Sequence, residues 1–418
     1  MTVTNKKKEL SKEDLLGSEI LKKVKASSNY CYNCNRCVNV CPLSHLGVFS
    51  PRNLINDLAF NSVKDAIDQN NIWLCLTCGQ CNIYCPMTKE NAGVDIPNLI
   101  KELRKISVEL EGELKAESDK IAQCETHDGM IPLMTEIMAQ NSVTPNKLGF
   151  LDGTKLKVKS KGKVAYFIGC LPIMEDIIYD FDVNYTDIPK SVIGLMNEIN
   201  IAPVVLNEKC CGHDILWGRG DEDTFKKLAE YNVELFRKAG VEKIIFSCAE
   251  GYYTWKYEYP KYIKDFNFEI VYFTDFFLEN NILDNLRFPQ EREIKVTYQD
   301  SCRLGRLGDK LYDSPRQLLN KLPSVSLVEM EDIKDDASCC GVSSFTGCNE
   351  FTRILRQNRL EEAANTGAEY LIVPCPKCLT HFTCYLNEPA LDDKQKELKN
   401  KIKVIDLATF IGKLLFMV

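Results

Sequence analysis

Residues 31–42 read CYNCNRCVNVCP and residues 75–86 read CLTCGQCNIYCP, two copies of C-x2-C-x2-C-x3-C-P. Thiolates are the ligands of iron–sulfur clusters, and a 4Fe–4S cubane needs four of them around a compact body. Three come from a tight loop that wraps the body, and the fourth comes from elsewhere in the chain. Tetrahedral zinc would use two C-x2-C pairs, which gives no reason for a third cysteine or for a fourth followed by proline. The chemistry implied is one-electron transfer, with no transformation of a substrate by this part alone.

In two-cluster ferredoxins the fourth cysteine of each run ligates the other cluster. On that pattern Cys31, Cys34, Cys37 and Cys85 hold one 4Fe–4S cubane, and Cys75, Cys78, Cys81 and Cys41 hold its neighbour. Pro42 and Pro86 are expected to end each loop and to stop the chain from continuing as a helix.

A second constellation follows. Cys170, the pair Cys210-Cys211 before Gly212, and Cys248 each come after a strand-like run: VAYFIG, PVVL and KIIFS. Cys302, Cys339-Cys340 before Gly341, and Cys375 do the same after IKVTYQDS, SLVEME and EYLIVP. The corresponding cysteines are 132, 129 and 127 residues apart, the period of an internal duplication. Vicinal cysteines diverge in extended backbone and rarely serve one ordinary ion.

With Cys170, KCCGHD (209–214), SCAEG (247–251), YQDSCRLGR (298–306), SCCG (338–341) and PCPKC (374–378), the chain resembles the catalytic subunit of heterodisulfide reductase. The form it resembles fuses a two-cluster ferredoxin domain to a duplicated CCG domain, and the likeness covers nearly the whole chain. The resemblance implies a noncubane 4Fe–4S cluster on five cysteines, here Cys302, Cys339, Cys340, Cys375 and Cys378, and reductive cleavage of a disulfide between two such clusters. Helix N-termini after Gly341 and Cys378 would stabilise the cluster's negative charge.

The first half departs from that pattern. Cys170, Cys210, Cys211 and Cys248 are present, but Gly251 stands where a fifth cysteine belongs. Four outcomes stay open: a conventional four-cysteine cluster, a noncubane cluster with an open iron position, no cluster, or zinc on the four thiolates. His213 is a candidate catalytic proton donor, and the preferred reading makes it a helix cap or a donor to a cluster sulfur. Asp214, Arg219, Arg303 and Arg306 are candidates for lining a pocket. Cys124, Cys348 and Cys384 fit no ligand spacing.

The elements that must position these groups are readable too. SKEDLLGSEILKKVKA predicts a helix opened by Ser11, and Leu99, Ile100, Leu103, Ile106 and Leu110 recur at helical spacing. Helices are expected over Phe225, Leu228, Ala229, Leu235 and Phe236, ending at Gly240, and over Phe351, Ile354, Leu355, Ala363 and Ala364, ending at Gly367. Ser314-Pro315 signals a further start, serine capping and proline first in the helix. Strands alternating with helices imply layered α/β halves with ligands at the carboxyl ends of the strands. The fold class is thus α+β: a helical two-cluster ferredoxin-like domain (1–110), a connecting region (111–160), a first α/β CCG half (161–290) and a second (291–418).

The chain has 418 residues and a formal charge of −7, which advertises no basic surface for nucleic acid. Twenty cysteines in a chain too long to need disulfide staples indicate a reducing cytoplasm and metal ligands. No run of 18 apolar residues suggests a membrane span. No G-x-G-x-x-G follows a strand and no P-loop occurs, so a flavoprotein, hydrogenase-type or formate-type partner subunit is expected to meet the clusters. The expected function is an iron–sulfur oxidoreductase subunit that relays electrons through two cubanes to the noncubane cluster and reduces a disulfide substrate. The alternatives are a non-catalytic electron-transfer subunit of a flavin-dependent dehydrogenase or reductase, and a zinc-stabilised structural protein.

Overall fold

A computed structural model describes residues 31–88, 94–111, 130–140, 146–178, 183–289, 292–342, 349–388 and 390–415. The helix expected behind Ser11, and Cys124 and Cys348, lie outside them.

Each N-terminal cysteine loop leads into a one-turn helix, Arg36–Asn39 after the first and Gln80–Tyr84 after the second. Both loops bend through two left-handed residues at matching places, Asn33 and Asn35 in one, Thr77 and Gly79 in the other. Such a bend turns the chain back on itself within a few residues and aims its cysteines to one side. Pro42 does not halt the chain. It is the first residue of the helix Pro42–His45, where a missing N–H costs nothing because that donor has no partner inside the helix. The helix Ile96–Glu111 buries Ile100, Leu103 and Ile106, as its spacing predicts.

The rest of the chain builds two parallel sheets. Strands β1 (Val164–Phe167), β2 (Lys243–Phe246) and β3 (Glu269–Tyr272) lie in that spatial order. In the second sheet β5 (Val325–Leu327) lies beside β4 (Ile294–Tyr298), followed by β6 (Tyr370–Val373) and β7 (Lys403–Asp406). The two sheets repeat one pattern: Val164 pairs with Lys243 in the first, Val296 with Tyr370 in the second. PVVL, expected as a strand, contributes two isolated bridges at Val204, to Lys159 and to Ala165, on the edge of β1 that corresponds to the place of β5 beside β4.

The helices Glu222–Lys238 and Glu350–Asn365 follow the two CCG segments and stop before Gly240 and Gly367, both left-handed. The inward face of the second differs from the apolar face expected. Ile354 is 40% exposed, whereas Arg356 and Arg359 are buried. Arg359 donates to the Gln299 side chain (2.6 Å) and to the Asp332 carbonyl (3.0 Å), and these bonds let a guanidinium replace an aliphatic side chain there. Near Ser314 the helix begins at Asp313, with Ser314 and Pro315 inside its first turn. Ser314 caps nothing; its hydroxyl meets that of Thr274 at 3.0 Å.

Candidate metal centre

The N-terminal thiols fall into two interleaved groups. Burial pushes the Cys37 thiol up to about 11, with neighbouring Cys31, Cys85 and Cys34 adding to the rise. Burial also pushes Cys75 up to about 12 against the pull of Arg104, with Cys41 and Cys78 as its sulfur neighbours. Cys81 is raised by burial and then by Cys78, Cys75, Cys41 and Cys37, so the two groups adjoin. Cys41, Cys75, Cys78 and Cys81 line one small cavity, about 20 Å³, with Leu43 and Phe49.

The CCG segments are built alike. Gly212 and Gly341 both have φ of 82°, a backbone that favours glycine, and their N–H groups point back to the first sulfur of each pair, Cys210 at 3.5 Å and Cys339 at 3.4 Å. Cys170 Sγ lies 3.4 Å from Cys210 Sγ. In the second half Cys378 Sγ lies 3.2 Å from Cys340 Sγ, and Cys302 hydrogen-bonds with Cys339.

Cys248 and Cys375 open equivalent helices. Cys248 Sγ accepts from the Gly251 N–H at 3.4 Å ahead of the helix Ala249–Tyr253, and the Lys377 and Cys378 N–H groups serve Cys375 ahead of Pro376–Leu386. The helix terminus expected after Cys378 therefore falls earlier, at Cys375, while residues 343–348 lie outside the described residues. Cys248 and Cys375 hydrogen-bond to each other, so the two sulfur groups meet at the boundary of the halves. Cys339 in turn lies within the field of Cys78. The order of sulfur groups is Cys37 to Cys81, Cys78 to Cys339, Cys375 to Cys248, and Cys248 to Cys170.

Three buried arginines tie this series together. Arg303 donates to the Thr77 carbonyl (2.8 Å) and hydroxyl (3.0 Å), and Arg306 to the Cys78 carbonyl (2.9 Å) and the Ala337 carbonyl (2.6 Å). Thr77 is a β-branched residue at φ 47°, an unfavourable backbone that the Arg303 bonds hold in place. Arg104, which sequence reasoning missed, donates to the carbonyls of Cys75 (2.7 Å) and Trp217 (2.8 Å). It lies on the buried side of its helix with Lys101 and Ser107 three residues to either side, beside the apolar Ile100, Leu103 and Ile106. Arg219 ends the turn Ile215–Arg219.

A buried polar network fills the boundary of the halves. His213 accepts at Nε2 from Arg303 Nε (2.9 Å) rather than capping the following turn. Its Nδ1 faces Asp214 at 3.7 Å and Glu250 at 3.6 Å without a hydrogen bond. Burial holds the imidazole well below its ordinary pKa. Lys377 pairs with both carboxylates. Glu250 and Lys377 were not anticipated. The signal available was that opposite charges occupy one position of the two repeats.

The connecting region contributes as well. Thr135, on the helix Met130–Ala139, places its hydroxyl 3.7 Å from Cys210 Sγ, and buried Lys147 donates to the Gly169 carbonyl (2.7 Å) beside Cys170. His381 Nδ1 donates to the Cys340 carbonyl (2.8 Å), and Cys384 is buried on the same helix.

The residues present fit iron–sulfur clusters. Burial alone would keep these thiols protonated, and grouped thiolates in a low-dielectric interior need a cation among them, which iron supplies. The backbone N–H groups at Gly212, Gly251 and Gly341 supply donors that a sulfide-rich anion needs, and Arg104, Arg303 and Arg306 place positive charge beside Cys75 and Cys302.

Family models agree with this division. A 4Fe–4S dicluster domain matches residues 27–88, and a cysteine-rich domain matches twice, at 164–254 and 296–383. The chain fuses a dicluster ferredoxin domain to a duplicated CCG domain. This dicluster–CCG protein is 27% identical, over 99% of its length and 79% of the other, to an uncharacterized iron–sulfur protein of Methanococcus maripaludis. It is 27% identical to one polypeptide of the dihydromethanophenazine:CoB–CoM heterodisulfide reductase of Methanosarcina barkeri, over 62% of this chain and 61% of that one. It is also 27% identical to the EtfAB:quinone oxidoreductase of Syntrophomonas wolfei, over 86% of this chain and 48% of that one. The chain thus spans less than two thirds of the length of these last two relatives. It is an iron–sulfur oxidoreductase-like protein, related to that heterodisulfide reductase polypeptide and to other iron–sulfur oxidoreductases. Among the described residues no helix is long and apolar enough to cross a membrane.

Proposed function

We propose that the chain carries electrons to a disulfide within a larger redox assembly. Its thiolates would hold two 4Fe–4S cubanes, on Cys31, Cys34, Cys37 and Cys85 and on Cys75, Cys78, Cys81 and Cys41. Cys302, Cys339, Cys340, Cys375 and Cys378 would hold a noncubane 4Fe–4S cluster, and Cys170, Cys210, Cys211 and Cys248 a further iron–sulfur cluster. Such clusters, when bound, take up and release electrons one at a time. The observation that carries this reading is the continuous order of sulfur groups from Cys37 to Cys170.

The chain's own residues fix that order and keep water from it. Arg303 and Arg306 hold the loop around Cys78 against Cys302 and Cys339, and Trp217 and Tyr253 shield the guanidinium of Arg303, whose centre lies 4.4 Å and 5.4 Å from the two ring centroids. Cleaving a disulfide to two thiols consumes two electrons and two protons. His213 serves there as a positioning group: its Nε2 is engaged by Arg303, and its lowered pKa leaves it neutral. A flavoprotein subunit is the partner class that splits a two-electron donor into single electrons for the N-terminal thiolate groups.

The test is anaerobic isolation with iron, acid-labile sulfide and zinc analysis, then turnover of thiol-cofactor disulfides with a chemical electron donor. Iron and sulfide for at least three clusters, together with turnover, are expected. A colourless protein holding zinc in place of iron would overturn the whole reading. Full clusters with no turnover would leave the second reading, an electron-transfer subunit of a flavin-dependent dehydrogenase or reductase, which Gly251 favours.

A further inference from the structure

Five of the chain's 17 tyrosines and one of its 3 tryptophans fall within residues 252–262, a stretch that begins four residues after Cys248. Two of these phenols reach one surface group. Tyr252 and Tyr257 both donate to the carboxylate of Asp309, which Lys256 joins as an ion pair. Asp309 follows Cys302 in the second half, so these bonds cross from one half to the other where its side chain is 31% exposed.

Behind each phenol stands a second ring. Tyr252 packs edge-on against Tyr272, with centroids 5.8 Å apart, and the rings of Tyr253 and Tyr257 lie 5.1 Å apart. The hydroxyl of buried Tyr272 lies 2.5 Å from the Pro374 carbonyl and 3.2 Å from that of Ser247, the residues just before Cys375 and Cys248. Tyr253 is buried within the field of Cys302. Two rows of phenols thus run from the buried sulfur groups to one carboxylate at the surface.

Burial alone would raise the Asp309 carboxyl, but the bonds from Lys256, Tyr252 and Tyr257 hold it below its ordinary value. It is ionised at neutral pH and able to take a proton. Anchoring the loop after Cys302 would need a single such bond, and it explains neither the rings behind the phenols nor their convergence.

We infer that Tyr252, Tyr257 and Asp309 form an exit by which oxidising equivalents leave the buried sulfur groups for the surface. Tyrosine gives up an electron together with its phenol proton, and a carboxylate already hydrogen-bonded to that proton receives it without rearrangement. The thiolates are what such an exit spares, because peroxide otherwise drives them through sulfenic acid to sulfinic acid. Hydrogen peroxide takes one electron from iron at the sulfur groups and one from Tyr252 or Tyr257, by way of Tyr272 or Tyr253, and with two protons becomes two waters. The phenol proton passes to Asp309, and a small thiol then returns a hydrogen atom to the phenoxyl radical. Iron at the sulfur groups is required, whereas disulfide turnover and a cluster in the first half are not.

The full chain, isolated without oxygen and assayed for iron and sulfide, is mixed with hydrogen peroxide, frozen rapidly and read by electron paramagnetic resonance. A nitroso spin trap in parallel samples marks the radical site for peptide mass spectrometry. Wild type is expected to show a tyrosyl radical that narrows with ring-deuterated tyrosine, and trap adducts at Tyr252 and Tyr257. The double variant Tyr252→Phe, Tyr257→Phe should lose the signal severalfold and gain sulfinic acid severalfold at Cys248, Cys302 and Cys375 for the same peroxide dose. Asp309→Asn keeps an acceptor for both phenols but is no base, and it should lower the radical yield in the same direction. The adduct map of the wild type decides the matter even where a variant fails to fold. Iron-loaded protein that gives no radical, or adducts at exposed Tyr32 in place of Tyr252 and Tyr257, would overturn this inference alone. Cysteine oxidation that is unchanged in a folded double variant would do the same. Protein without iron would overturn it together with the reading proposed above.

Discussion

Glu250 and Lys377 stand at one position of the two repeats, two residues beyond Cys248 and Cys375, and are ion-paired with each other across the boundary of the halves. Duplication would have placed the same residue at both sites; opposite charges make the two copies complementary. Asp214 joins the same ammonium, so Lys377 answers two carboxylates. Lys377→Met leaves both of them buried without a counter-charge, and a loss of about 3–5 kcal/mol is expected in urea unfolding. Adding Glu250→Gln in the same chain should recover part of that loss. A single variant that unfolds like wild type would mean the pair does not hold the halves together.

Arg303→Lys keeps the charge and loses the fork. The three bonds to Thr77 and His213 need a planar guanidinium, and a lysine ammonium cannot make them together. A cost of about 1.5–3 kcal/mol is expected, and the relaxed Thr77 loop should show faster amide hydrogen exchange at Thr77 and Cys78. Unchanged exchange there would place the burden on Arg306 and Arg104.

The interleaving of the N-terminal thiols is testable by single substitutions. Cys41→Ser should alter the spectroscopic signature of the centre on Cys75, Cys78 and Cys81, although Cys41 belongs by sequence to the first run. Cys85→Ser should alter the centre on Cys31, Cys34 and Cys37. The opposite assignment of effects by electron paramagnetic resonance would show that each run serves its own centre.

Asp406 gives a pH dependence with a definite sign. Burial raises its carboxyl from 3.8 to about 7, although the Ala408 and Thr409 N–H groups donate to it. Between these pH values the folded chain keeps a proton that the unfolded chain releases. Stability therefore falls as pH rises from about 4 to about 7, by up to about 4 kcal/mol. Asp406→Asn keeps the cap of the helix Leu407–Leu414 and removes the titration, so the slope over that window should flatten. A slope unchanged in the variant would assign the dependence to other groups.

The grouping of the N-terminal thiols was readable because three sulfurs of each group lie within a seven-residue loop, where spacing alone dictates which of them can meet. The duplication was readable through its cysteines, and the order of strands repeats with it. What escaped is the polar interior. Glu250 and Lys377, 127 residues apart, each look like a solvated charge in a cysteine loop, and only the folded chain brings them together. Arg104, Arg356 and Arg359 sit on helix faces where periodicity calls for aliphatic residues; for Arg104 and Arg359 the bonds run to backbone and side-chain oxygens far away in sequence. Val204 and Ser314 show the limits of local signals: a β-rich run became two isolated bridges at one residue, and a good cap residue was passed over by a helix that starts one residue earlier.

Gly79, between the cysteines of the second run, lies so close to Leu307 that an added Cβ would come within 2.7 Å of it, and Arg303 and Arg306 clasp the carbonyls of the two residues before it, Thr77 and Cys78. A contact so tight leaves the N-terminal domain no room to swing between a donor and an acceptor as a tethered shuttle would. Passage of charge across this seam is set by a fixed gap, so thickening the medium with glycerol or sucrose should leave its rate untouched.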